Sequence, residues 1–106
     1  MEIVFTKKYL EDIYQGKTRK YKAYKSNLKL VQQFVKAVNK LKAITKVEQL
    51  YQIKSLHYEK KQGDLKGVST VWVNQQYRIL FNEICAEEGK LEINLFEIEE
   101  LSKHYQ

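Results

Sequence analysis

The hydrophobic residues of this chain follow two different periods, and the change between them constrains the fold more than any other feature. In the first half most of them recur every three or four residues, which is the spacing of one face of an α-helix. From about residue 53 they alternate with polar residues, as in a half-buried β-strand. No proline, Ser/Gly linker or repeat interrupts the 106 residues. We therefore predict one α+β domain, residues 1–106, with helices first and a meander of strands after them.

Two helices and a series of strands are predicted from these periods. The first helix is Lys7–Gln15, ended by Gly16, and the second runs from Ser26, as its N-cap, to about Ala43. The basic loop Lys17–Lys25 joins them. Strands at residues 2–6, 53–60, 68–74 and 77–83 give the order β-α-α-β-β-β, and a last strand is predicted at 91–96. We also predict turns at 62–64, 74–76 and 87–89, a capping box at 45–48 and a helical turn at 99–104. The antiparallel sheet should pack on the two N-terminal helices and leave its opposite face open for a site.

The charge of the chain is unevenly distributed. Residues 1–66 contain 16 Lys and Arg against 6 Asp and Glu, whereas residues 67–106 contain 3 against 7. A basic half favours a polyanion such as a nucleic acid, and it also fits an acidic protein partner. The alternative is that the lysines only keep the protein soluble. No apolar run approaches the roughly 20 residues that span a bilayer, and the first residues lack a signal-peptide pattern, so we expect a cytoplasmic protein without membrane contact.

An arginine lies in the middle of a predicted central strand. On the strand 77–83, Arg78 shares a face with Leu80 and Asn82. Burying an unpaired charge is costly, so Arg78 either pairs with a glutamate of a neighbouring strand, such as Glu92, or faces the open side of the sheet and holds a phosphate.

The predicted strand 53–60 carries candidate proton-transfer groups. If it alternates, His57, Glu59 and Lys61 share one face, and an imidazole beside a carboxylate can donate and accept protons. The alternative is a charged strand edge without a catalytic role. The scattered His, Cys and acidic residues lack metal-ligand spacing, and there is no phosphate-binding glycine motif, so we expect no metal and no cofactor.

The second half of the chain resembles the HigB branch of the RelE/ParE toxin superfamily. The resemblance is carried by Ser55–Glu59 (SLHYE), Gly63–Gly67 (GDLKG) and Val71–Ile79 (VWVNQQYRI), and the tail His104-Tyr105 is similar to a common ending of the family. It covers about residues 53–81 and the tail, while the helical half agrees in order and length. A RelE-like fold is therefore implied.

The resemblance also implies a function. Such a protein is the toxin of a type II toxin–antitoxin system, an endoribonuclease that cleaves mRNA on the ribosome without a metal and so inhibits translation. Its partner would be a HigA-like, helix-turn-helix antitoxin. The 2′-hydroxyl attacks the adjacent phosphate, which requires a base, an acid and cations around the phosphorus. The predicted catalytic residues are Arg78, His57, Glu59, His104 and Tyr105, and the predicted RNA-binding residues are Lys60, Lys61, Lys66 and Trp72.

Three positions depart from the family pattern. Trp72 stands where the family has arginine, Gln62 where it has lysine, and Glu59 where a histidine is common, although His57 lies two residues earlier. Trp72 either stacks on a base or covers the sheet. Two alternatives stay open: a ParE-like gyrase inhibitor without cleavage activity, and a catalytically degenerate basic module that binds RNA or its antitoxin.

Overall fold

Three α-helices, two 3₁₀ helices and five strands make up the part of the chain that the structure describes. The structure is a computed structural model, and it describes residues 1–61, 67–85 and 87–103. In chain order the elements are β1 (Glu2–Phe5), α1 (Lys8–Tyr14), α2 (Lys22–Lys25), α3 (Leu28–Ala43), the 3₁₀ helices Val47–Gln52 and Lys54–Leu56, β2 (Glu59–Lys60), β3 (Val68–Trp72), β4 (Tyr77–Ile84) and β5 (Leu95–Lys103). The α+β class is confirmed.

The strands form one mixed sheet in the order β1-β5-β4-β3-β2. Strands β2 to β5 are antiparallel neighbours, as the meander predicts, but β1 pairs with β5 in parallel. The prediction of a wholly antiparallel sheet is therefore wrong at its first strand. The helices α1 and α3 lie in the connection between β1 and the meander. This connection returns the chain in the same direction, so that β1 pairs in parallel with β5 on the edge of β5 that β4 does not occupy.

The hydrophobic core lies between α1, α3 and one face of the sheet. Phe34 of α3 and Phe81 of β4 are fully buried there. The apolar face of α3 contributes much of this core, as its helical spacing predicts, through Leu30, Val31, Phe34, Ala37, Val38 and Leu41. Because α1 and α3 both pack on this face, we call the opposite face, which neither of them covers, the helix-free face. Within the described residues, no helix combines the length and the apolar character needed to cross a bilayer.

The predicted strand 53–60 is wrong over most of its length. Ile53 precedes a 3₁₀ turn, His57 has a left-handed backbone (φ 46°), and only Glu59–Lys60 pairs as a strand. Leu56 and Tyr58 are both buried in the core. A regular strand would also bury both, because residues two apart share a face. The 3₁₀ helix and the left-handed His57 instead change the path of the backbone before β2.

Four smaller predictions are also corrected. The N-cap of α3 is Asn27, whose Oδ1 accepts the Leu30 amide at 3.2 Å, and not Ser26. The basic loop contains the short helix α2. Residues 99–103, predicted as part of a helical turn at 99–104, belong to β5, and this last strand starts at Leu95.

The predicted capping box at 45–48 is replaced by another contact. Gln49, not Glu48, accepts the backbone amides of Thr45 (2.7 Å) and Lys46 (3.2 Å) through its side-chain oxygen, because Lys46 is the N-cap of the 3₁₀ helix and Gln49 is its third residue. The turns at 74–76 and 87–89 and the end of α1 at Gly16 (φ 79°) lie where the sequence predicts them.

Candidate functional site

The helix-free face of the sheet carries a stack of three side chains centred on Trp72. The rings of His57 and Trp72 lie 3.7 Å apart, centroid to centroid, at an interplanar angle of 25°. The guanidinium carbon of Arg78 lies 4.0 Å from the centroid of the Trp72 ring. An imidazole, an indole and a guanidinium group are thus held together at the surface of the sheet.

The register of three neighbouring strands explains the stack. Trp72 and Arg78 are directly opposite each other across β3 and β4, so their side chains share a face. On the other side of β3, Glu59 is opposite Thr70, and two residues further the same register brings His57 level with Trp72. Because β3 lies between β2 and β4, the imidazole and the guanidinium approach the indole from opposite sides.

Backbone carbonyls fix the guanidinium of Arg78. Its Nη1 donates to the carbonyl oxygens of Asn74 (2.8 Å), Gln75 (3.2 Å) and Tyr77 (3.1 Å). Arg78 is 8% exposed, and this burial lowers the pKa of its guanidinium from the ordinary value, although an arginine stays protonated at physiological pH. Among residues 1–61, 67–85 and 87–103 no carboxylate forms an ion pair with Arg78, so the predicted alternative of a bridge to Glu92 is not what holds it.

The turn that presents these carbonyls is built by Asn74. Its Oδ1 accepts the backbone amides of Gln76 and Tyr77, both at 2.8 Å, and its Nδ2 donates to Gln33 of α3 at 2.9 Å. From the sequence, Asn74 is predicted only as a turn residue. An asparagine at the start of a short loop is the signal for such an Asx turn, and here that turn sets the position of Arg78.

The remaining described candidates lie on both faces of the sheet. Glu59 and Lys61 share the helix-free face, as predicted, with Lys61 Nζ 3.3 Å from Glu59 Oε2. Lys60 points to the helix-covered side, where its Nζ lies 3.4 Å from Glu83 Oε1. The side chain of Glu59 is 63% exposed and therefore accessible to a ligand.

Several predicted site residues lie outside the described residues, namely Lys66, His104 and Tyr105, together with Gln62 of the predicted turn. The tail that carries His104 follows directly on β5, in which Ser102 is opposite Arg78 and Lys103 is opposite Tyr77. The described chain therefore ends beside the stack.

A second polar cluster, which the sequence analysis missed, lies under the sheet. The carboxylate of Glu83, whose side chain is 7% exposed, accepts hydrogen bonds from the Tyr58 hydroxyl and from Ser69 Oγ (2.5 Å). Burial, and then the bond to Glu83, raises the pKa of Tyr58 above its ordinary value of 10. Within the described ranges, no three His, Cys, Asp or Glu side chains are grouped so that they could hold a metal ion.

No family model and no curated protein matches the sequence. Solved structures do match. A YoeB/ParE toxin from Agrobacterium tumefaciens covers 99% of this chain and 100% of its own, with a TM-score of 0.54 and 16% identity. The YoeB dimer and the YoeB–YefM complex from Staphylococcus aureus each cover 99% of this chain and 98% of their own, with TM-scores of 0.52 and 0.51 at 20% identity. This chain has a RelE-like fold. The predicted fold class is confirmed, and at this level of identity the likeness concerns the fold.

Proposed function

We propose that this protein is the toxin of a type II toxin–antitoxin system and that it cleaves mRNA on the ribosome in the manner of the HigB branch. The observation that carries the proposal is Arg78. Its guanidinium is fixed on the helix-free face of a RelE-like sheet, and no described carboxylate cancels its charge. A preorganised cation of this kind stabilises a phosphate whose negative charge increases in the transition state.

The proposed reaction assigns each bond change to a kind of group. A base takes the proton of the 2′-hydroxyl, the 2′-oxygen forms a bond to phosphorus, and the bond from phosphorus to the 5′-oxygen breaks. An acid protonates the departing 5′-oxygen, which leaves a 2′,3′-cyclic phosphate. Arg78 neutralises the phosphorane-like transition state, and this chemistry needs no metal.

The proposed proton-transfer groups come from the segment around Glu59 and from the tail that follows β5 in the sequence. Glu59 and His57 reach the helix-free face opposite Thr70 and Trp72, which are about 7 Å apart along β3. We assign the base to one of these two residues. His104 and Tyr105, which follow the end of β5 beside Arg78, are proposed to donate the second proton or to stack on a base.

The RNA-binding part of the proposal rests on Trp72, on Lys61 of the helix-free face and on Lys66, which lies outside the described residues. The edge of the Trp72 indole is available for contact with a base, because its two faces hold His57 and Arg78. Lys61 and Lys66 are proposed to bind phosphates. Lys60 is left out of this set, since it pairs with Glu83 on the opposite side of the sheet.

The proposed partner is an antitoxin of the HigA-like, helix-turn-helix kind. One of the matched structures is a complex of YoeB with a second protein, YefM, which supports a protein partner for this fold. A cytoplasmic location follows from a ribosomal substrate.

Induced expression in bacteria, with growth curves and mapping of mRNA 5′ ends, tests this function. We expect growth arrest with new cuts inside translated frames, and we expect Arg78→Ala to abolish both while its far-UV spectrum stays unchanged. Arg19→Ala is the matched control, because Arg19 is an exposed arginine of the basic loop. Arrest with intact messages would support the gyrase alternative, and no arrest from a soluble, folded protein would support the degenerate module. If Arg78→Ala cuts as the parent does, the assignment of the site is wrong.

A further inference from the structure

A cleft of about 400 Å³ lies between the start of α3 and the turn that joins β3 to β4. Its volume is within the range of small-ligand sites. Its lining includes the polar side chains of Asn27, Lys29, Gln33, Gln75 and Gln76, and the half-buried ring of Tyr77.

The cleft shares a wall with the proposed catalytic arginine. The turn residues Asn74 and Gln75 present their carbonyls to the Arg78 guanidinium, and their other side lines the cleft. The bond from Asn74 to Gln33 ties this wall to α3. The turn Asn74–Gln76 therefore separates the cleft from the Arg78 guanidinium.

The composition of the cleft fits a nucleotide. Side-chain amides donate and accept hydrogen bonds, as the edges of bases do, and a tyrosine ring offers a surface for stacking. Among the described residues, no carboxylate lines this cleft. By contrast, a cleft of about 350 Å³ near the first 3₁₀ helix is lined by three glutamates, Glu48, Glu83 and Glu92, and by two lysines, Lys46 and Lys60.

Three lysine side chains lie at the rim of the cleft and on the surface next to it. Lys29 lies at its rim, and a neighbouring concavity just before Asn27 is lined by Lys22 and Lys25 of α2. All three lysines are exposed. Such a row provides a track for the backbone of a single strand that leaves the cleft.

We propose that this cleft binds one nucleotide of single-stranded RNA next to the phosphate held by Arg78. Its base lies against Tyr77 and pairs with the amides of Gln33 and Gln76, and its phosphate lies toward Lys29. The cleft thus selects the sequence around the cut. This inference rests on the proposed function, because it takes the phosphate at Arg78 as its point of reference.

The test uses a double variant and a control of the same composition. The variant Lys29→Ala/Gln76→Ala removes one cation and one amide from the cleft. The control Lys36→Ala/Gln52→Ala removes the same groups from exposed positions that do not line the cleft. Affinity for short fluorescein-labelled oligo-A, -U, -C and -G single strands is measured by fluorescence anisotropy, and cut sites are mapped on ribosome-bound mRNA.

We expect the cleft variant to bind the preferred oligonucleotide roughly thirtyfold more weakly than the parent, because it loses one hydrogen bond and one charge contact. Its cuts should spread over more sequences, while the control should match the parent. Equal affinity and an unchanged set of cuts in the cleft variant would overturn the inference and leave the nuclease proposal intact. A parent that binds RNA through the cleft but never cuts it would support the inference and overturn the nuclease.

Discussion

The contact between His57 and Trp72 can be measured as a coupling energy. Stacked aromatic pairs contribute about 0.5–1.5 kcal/mol beyond the area that they bury. His57 is exposed and Trp72 only half-buried, so water competes for both rings. We therefore expect the lower half of this range, about 0.5–1 kcal/mol, for the interaction between His57→Ala and Trp72→Ala in a double-mutant cycle.

The cycle is measured by urea denaturation, followed by far-UV circular dichroism because Trp72 is the single tryptophan of the chain. The parent, the two single variants and the double variant supply the four free energies of unfolding. A fifth variant, His57→Gly, separates the ring from the backbone. Since His57 has φ 46°, glycine should relieve roughly 1 kcal/mol of backbone strain that alanine retains, so His57→Gly should be the more stable of the two replacements.

The control cycle combines Trp72→Ala with Leu91→Ala. Leu91 is 98% exposed, and its effect should add to that of Trp72→Ala within about 0.5 kcal/mol. If the coupling energy of His57 and Trp72 is no larger than that of the control cycle, the stack does not exist in solution. Of the three stacked residues, only Arg78 would then remain in the proposed site.

Three further predictions concern stability. Tyr58→Phe removes the bond to Glu83 and should cost about 1.5–3 kcal/mol in urea denaturation. Because the pKa of Tyr58 is raised, its contribution is complete below about pH 10 and falls as the pH rises further. Asp12→Asn should lower the Tm at pH 7, since the Tyr21 hydroxyl (2.7 Å) lowers the pKa of Asp12, and the difference from the parent should shrink below about pH 4. Gly16→Ala should cost about 1 kcal/mol through its backbone alone (φ 79°), because no atom lies within 4 Å of the added carbon.

Each of these three stability predictions would be contradicted by a specific measurement. A Tyr58→Phe variant as stable as the parent at pH 7 would show that the buried carboxylate of Glu83 gains nothing from the phenol. A Tm difference between Asp12→Asn and the parent that grows as the pH falls would show that the ionised form of Asp12 does not stabilise the fold. A loss of several kcal/mol for Gly16→Ala would require a clash that the structure does not contain.

The hairpin at the site was predictable from the sequence. The loop Asn74–Gln76 makes residue 73 the partner of residue 77, and it therefore places Trp72 opposite Arg78, as the structure shows. Period and turn chemistry are local, so β3, β4 and α3 also lie close to their predicted bounds.

Two parts of the architecture were not predictable in this way. The parallel pairing of β1 with β5 joins segments more than 90 residues apart, and no local pattern encodes it. The position of His57 depends on a 3₁₀ turn and a left-handed residue. The alternation of residues 53–60 indicates neither, because it is equally compatible with a regular strand that buries Leu56 and Tyr58.

Trp72 changes the balance of charges at the site. In the HigB-like pattern an arginine occupies its position, and here that arginine would be the cross-strand partner of Arg78, where like charges repel. An indole instead attracts the guanidinium by about 0.5–2 kcal/mol. Compared with the HigB-like pattern, the site has one cation fewer. The Arg78 guanidinium that remains is held by the indole and by three backbone carbonyls. In the proposed reaction Arg78 acts through its fixed position more than through the number of neighbouring charges, because a preorganised group needs no reorganisation when charge develops on the phosphate.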